Sequence, residues 1–184
     1  MMTFSHLTRF VFLVSALCLP CLADAKLVRT TDPAKVEFVA LGPLGIQVNG
    51  HGSELSVGDD GTTVTVTIPL QSLSTDNGLR DRHMREALET SKYPNTVLTV
   101  ARGDLKFPAD GQSLSATAPG NLFLHGVTKP VQFTYDAQNA GGAIQTKGRM
   151  PVDMTLWGIT PPSYAKIAVD RNVTVNVAFV AADR

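Results

Sequence analysis

No cysteine occurs beyond residue 21. The chain of 184 residues holds 2, Cys18 and Cys21, and both lie in its first apolar stretch. A product without that stretch has no thiol, no disulfide and no thiolate metal ligand. Net charge is missing too: 16 Lys and Arg balance 16 Asp and Glu, a formal +0. With no basic run, the electrostatic footprint of a nucleic-acid binder is absent. After the first stretch, no segment has the roughly 20 apolar residues of a membrane-spanning helix. No linker, repeat or low-complexity block divides the remainder, so one domain is expected.

Catalytic signatures are equally scarce. There is no Gly-x-Ser-x-Gly elbow and no glycine-rich loop leading from a strand into a helix. His51, His83 and His125 are scattered and match no zinc-binding spacing. The reading is therefore non-enzymatic, with no cofactor and no metal. His125, next to Gly126, reads as a hairpin residue whose ring bonds backbone, and His83 as a helix-surface or portal residue.

At the N-terminus, His6 and Arg9 precede an apolar run, Phe10 to Leu19, that ends in Ala23-Asp24-Ala25. This is the pattern of a secretory signal peptide, residues 1–25, cut after Ala25. Residues 26–184 would then be the exported domain, periplasmic or secreted. Lipidation of Cys21 is the competing reading, disfavoured because Cys18, Leu19 and Pro20 are not the small residues such processing needs.

Period-two apolar patterns dominate residues 26–184. They run through Val36, Phe38 and Ala40, then Ile46 and Val48, then Val64, Val66 and Ile68. They resume at Thr96 to Arg102, Leu114 to Ala118, Asn121 to His125, Val131 to Tyr135, Ile144 to Met154 and Val173 to Val180. This alternation predicts eight or nine strands with two chemically different faces. Gly42-Pro43, Gly58-Asp59-Asp60-Gly61 and Asn139 to Gly142 have turn chemistry. Short connections make the sheet antiparallel, since parallel strands need long crossovers. One segment breaks the rhythm: Leu79 to Lys92 reads as a short helix, with Arg82–Glu86 and Arg85–Glu89 able to pair four residues apart.

So many strands with one helix protect their apolar face by closing on themselves. A barrel of about eight strands has room for side chains or for one small ligand. The candidate inward residues are almost all apolar, which favours a hydrocarbon guest. Phe38, Ile46, Val48, Val66, Ile68, Leu98, Phe133 and Trp157 are the expected nonpolar walls. The same residues could instead fill a dry core, and Trp157 could be a core or rim residue; alternation leaves both open.

Two segments carry a resemblance. Leu79 to Pro94, LRDRHMREALETSKYP, and Leu122 to Pro130, LFLHGVTKP, resemble the YceI-like family. The matching anchors are Arg80-Asp81, His83-Met84, Lys92-Tyr93-Pro94 and Leu124 to Thr128, with Trp157-Gly158-Ile159 and Pro161-Pro162-Ser163 similar to a variant ending. The chain departs from many members at Ala34-Lys35, where they carry His-Ser, and between Leu88 and Tyr93, where it is shorter. The resemblance implies an eight-stranded antiparallel lipocalin-like barrel with one short helix near one end. It also implies a channel for a polyisoprenoid or similar amphiphile, and a periplasmic or secreted location. The expected function is a carrier for an isoprenoid lipid, isoprenoid quinone or fatty-acid-like lipid. The alternative is a stress-related interaction domain with a filled barrel, which an exposed Met84 and Leu88 would favour. A cofactor-independent isomerase or cyclase would need an inward titratable pair, and none is evident.

Overall fold

In the computed structural model, which describes residues 26–30, 33–164 and 167–183, the period-two patterns form one curled antiparallel sheet. The signal-peptide reading of residues 1–25 lies outside the described residues. The strands are β1 (Leu27–Arg29), β2 (Lys35–Leu41), β3 (Gln47–Gly52), β4 (Ser56–Asp59), β5 (Thr63–Pro69), β6 (Asn95–Ala101), β7 (Ser113–Leu124), β8 (Val127–Ala140) and β9 (Ala143–Asp153). A two-stranded hairpin, β10 (Ser163–Tyr164) with β11 (Ile167–Ala168), precedes the last strand, β12 (Asn172–Asp183). One helix, α1 (Gly78–Ala87), interrupts the strands.

The main sheet has 10 strands in the order β3-β2-β12-β9-β8-β7-β6-β5-β4, with β1 also on β12. Strands β1 and β2 pair with successive parts of β12 and form one broken row. Strands β3 and β4, separated only by residues 53–55, form another, paired with β2 on one side and β5 on the other. The ten strands thus make eight rows, which is how an eight-stranded reading of the sequence and a ten-stranded sheet describe one fold.

The curl brings β4 back beside β1. There the Leu27 N–H donates to Asp59 Oδ2 at 3.0 Å, while the Gly61 N–H donates to Oδ1 at 2.8 Å. The Asp59 side chain is fully buried and ion-paired with Arg102, which follows β6. A buried carboxylate is tolerated here because it is both paired and hydrogen-bonded. The edge of β3 is covered differently. His51 and Ser74 exchange backbone hydrogen bonds, each 2.8 Å, which fixes the segment leading into α1 against that strand.

Alternation decides the interior. Val64 and Ile68 of β5, Ala118, Leu122 and Leu124 of β7, Phe133, Tyr135 and Ala137 of β8, and Ile144, Met150 and Val152 of β9 are buried. Each large aliphatic or aromatic side chain in such a position contributes about 1.5–3 kcal/mol. The turns fit their residues. His125 and Gly126, at φ 49 and 77, form a two-residue connection between β7 and β8, and the Tyr93 ring covers Gly126 so closely that a Cβ would lie 2.5 Å from it. Primed hairpin turns need positive φ at both positions, and only glycine suits the covered one.

Three local expectations change. Leu114 to Ala118 and Asn121 to His125 are not two strands: β7 runs unbroken through Pro119-Gly120. Proline is tolerated because the β6 ladder reaches only Asn121 to Phe123, so the Pro119 nitrogen owes that strand no hydrogen bond. The helix ends at Ala87, well before Lys92, and Glu89 takes a left-handed φ of 46. That turn leaves Arg82 near Glu86 at 3.8 Å but carries Glu89 away from Arg85 toward Lys92, 3.7 Å away.

Candidate functional site

The barrel encloses a cavity of about 530 Å³. Small-molecule sites fall at roughly 300–1,000 Å³. Its walls come from every row of the sheet. Phe38 of β2, Val48 of β3, Val66 and Ile68 of β5, Leu98 of β6 and Phe133 of β8 all line it, as the alternation predicted of their side chains. Ile46 lines it too, but from the turn between β2 and β3 and not from a strand. Val175, Val177 and Phe179 of β12 complete the apolar wall.

Trp157 is not part of that wall. It lies in the one-turn helix Met154–Trp157, is 3% exposed, and donates its Nε1–H to the Leu122 carbonyl at 3.2 Å. Its own carbonyl receives the Nδ1–H of His125 at 3.0 Å. The indole therefore fastens the β9–β12 connection to the β7–β8 hairpin. Its neighbour in sequence, Ile159, reaches the cavity instead. His125 does bond backbone, as its position suggested, but the backbone of a residue 32 positions away. Its Nε2 is buried 3.6 Å from Glu89 Oε1, without a hydrogen bond.

Helix α1 closes one end. Asn77 caps it, accepting the Arg80 N–H at 3.1 Å. Arg80, His83, Met84, Ala87 and Leu88 line the cavity, a stripe at helical spacing that the sequence reading did not assign to the wall. Met84 and Leu88 pack against the core and are not an exposed cluster. The Arg80 guanidinium is held by Thr75, with 2.7 Å from Nη2 to its carbonyl and 3.3 Å from Nε to its hydroxyl.

The helix is itself anchored by Asp81. Its buried carboxylate accepts the Thr75 N–H at 2.7 Å, the Thr75 hydroxyl at 2.6 Å and the Ser74 hydroxyl at 2.9 Å. Burial opposes its charge. The Thr75 and Ser74 hydrogen bonds, with Arg85 nearby, outweigh burial and hold the carboxyl below its ordinary value. Neither Asp81 nor the seam carboxylate Asp59 faces the cavity. Its polar lining residues are Thr75, Arg80 and His83 at the helix end, Lys106 in the loop after β6, and Thr96, Tyr135, Thr146 and Arg149 on the strands. Among the described residues no group of three or more His, Cys, Asp or Glu is placed to hold a metal. None of the described helices is long and apolar enough to cross a membrane.

This architecture has relatives of known structure. A polyisoprenoid binding domain from Saccharophagus degradans superposes with a TM-score of 0.72 at 16% identity, covering 87% of this chain and 99% of that one. BcnA of Burkholderia cenocepacia gives 0.64 at 14% identity, over 81% and 96%. Both show a shared fold. In sequence, the YceI protein of Escherichia coli O157:H7 is 43% identical over 70 residues, 37% of this chain and 34% of that protein. The UPF0312 protein of Enterobacter sp. (strain 638) is 46% identical over 70 residues, 37% and 33%. The matched segment thus spans about a third of these curated relatives. The YceI-like domain as a whole matches residues 30–181. With that match across the sheet, the helix and the cavity walls, the chain belongs to the YceI-like domain family.

Proposed function

We propose that this protein is an exported, non-catalytic carrier that holds a polyisoprenoid, an isoprenoid quinone or a similar long amphiphile inside its barrel. The observation that carries the reading is the cavity of about 530 Å³, walled by aliphatic and aromatic side chains from all sides. Each methylene group moved from water into it gains about 0.8 kcal/mol. For drug-sized ligands the net gain is bounded near 0.3 kcal/mol per heavy atom, so a long tail suffices without a charged anchor. The proposed wall is Phe38, Ile46, Val48, Val66, Ile68, Leu98 and Phe133, with the polar head against Arg80 and His83 at the helix end. The binding named for the Saccharophagus degradans domain points the same way. Export rests on the pattern in residues 1–25.

The filled-barrel alternative has less support, because Met84 and Leu88 turn toward the cavity and do not offer an exposed patch to a protein partner. Native mass spectrometry of protein purified from the exported fraction, followed by organic extraction, tests the carrier. A stoichiometric prenyl or acyl species is expected. A ligand-free mass that persists after incubation with isoprenoid lipids and quinones would overturn the reading.

A further inference from the structure

The turn between β2 and β3 carries a leucine where the backbone calls for glycine. Leu44 has φ 59 and ψ 24, the left-handed region, and is 97% exposed. A bulky residue there is strained. Glycines flank it at Gly42 and Gly45, so the strained position itself is the one given a large side chain. The turn is held in shape, with Gly42 N–H to the Ile46 carbonyl at 2.7 Å and Ile46 N–H to the Pro43 carbonyl at 3.2 Å. Strain that the surroundings enforce, at a side chain almost wholly in solvent, points to a use outside the fold.

The surroundings say what kind of use. Between Glu37 and His51 there is no ionisable side chain. Leu41 is exposed, and Ile46 is 45% exposed while also lining the cavity. The cavity wall and the tip therefore form one continuous apolar surface. Antiparallel topology puts this turn at the same end as α1, the His125-Gly126 turn and the β9–β12 connection. Of the 8 exposed large hydrophobic side chains among the described residues, Leu41, Leu44, Ile46, Leu79, Val127 and Leu156 lie at strand ends or in connections at that end.

We infer that this end docks on a lipid bilayer, with Leu44 as the inserted side chain and Ile46 as the step from bilayer to cavity. The inference rests on the carrier reading and extends it. A convex, uncharged spike suits a bilayer, which needs no complementary pocket to receive it. Its continuity with the cavity would let a tail pass from membrane to barrel without crossing water. The turn itself is uncharged, so its own insertion is hydrophobic and neutral lipid should suffice, while charges at the same end, such as Asp170 and Arg171 beside Leu41, stay in water.

The exported protein lacks cysteine if the signal peptide is removed, so Leu44→Cys can be labelled singly with an environment-sensitive NBD dye. Gln112→Cys, in the exposed loop at the opposite end, is the control. With phosphatidylcholine vesicles the label at 44 should brighten and shift to the blue, and the label at 112 should not. Leu44→Gly relieves the strain and removes the side chain. It should weaken vesicle association about tenfold, as loss of one buried leucine predicts, while loading of a prenyl probe from dilute solution stays unchanged. A label at 44 that ignores vesicles in a protein that still loads the probe would overturn docking alone. A response that depends on protein concentration without vesicles would also overturn it, by assigning the tip to self-association. Failure to load the probe would instead remove the carrier reading.

Discussion

Asp59 accepts the backbone N–H of Leu27 at 3.0 Å, and through that bond a side chain joins β4 to β1 where the curled sheet meets itself. The same carboxylate takes the Gly61 N–H and pairs with Arg102. Asp59→Ala should destabilise the fold by about 1–3 kcal/mol, because it takes the acceptor from the Leu27 and Gly61 N–H groups and one partner from Arg102. Urea denaturation measures the loss. Hydrogen exchange at the Leu27 amide should rise more than at the amides of β8.

Acid should loosen the helix end through Asp81. Its carboxyl sits below the ordinary value of 3.8 in the folded state, held there against burial by Thr75 and Ser74. A depressed folded value means the stabilisation is fully present above 3.8 and is lost as pH falls from there through the folded value. Asp81→Asn should remove that acid dependence while costing about 1–3 kcal/mol at neutral pH. Thermal melts of both proteins across pH 2 to 7 would show the two curves converging at the acid end.

Phe38 and Gly50 are register partners, and the phenyl ring lies over the glycine so closely that a Cβ there would be 1.9 Å from ring carbon Cζ. Gly50→Ala should therefore drive the ring toward the cavity and cost about 1–3 kcal/mol. Combining it with Phe38→Leu should recover part of that loss. A double-mutant cycle with no coupling would disprove the contact.

Trp157 and Val66 should part company in function. Trp157→Phe loses the hydrogen bond to the Leu122 carbonyl and about 1 kcal/mol, and should leave lipid loading intact. Val66→Asp places an unpaired carboxylate in the wall and should abolish loading. Circular dichroism must first show that it folds. A folded Val66→Asp protein that loads normally would count against the proposed wall.

Period-two alternation made most of the barrel legible, because a residue that faces the interior of a strand announces its face two positions on. That is why Phe38, Val48, Val66, Ile68, Leu98 and Phe133 fall on the cavity. Trp157 sits in a connection, where size and apolarity carry no direction, so the pattern leaves wall and core both open and only the packing places it in the core. The seam was not legible at all: Asp59 and Arg102 are 43 residues apart and nothing local couples them. The helix stripe from Arg80 to Leu88 was readable in spacing, yet its charged members disguised it as a solvent face. Whether the interior is hollow depends on small inward groups such as Gly50 and Gly148, and no periodicity reports the volume they leave.

The reciprocal bonds between His51 and Ser74 have a consequence for the protein in company. An unpaired strand edge is a template on which other chains can grow. Here the rim of β3 is already engaged at His51 by the chain's own lead-in to α1, and β4 is shielded by β1. Chain-to-chain growth through either rim would first have to strip away a piece of the molecule itself.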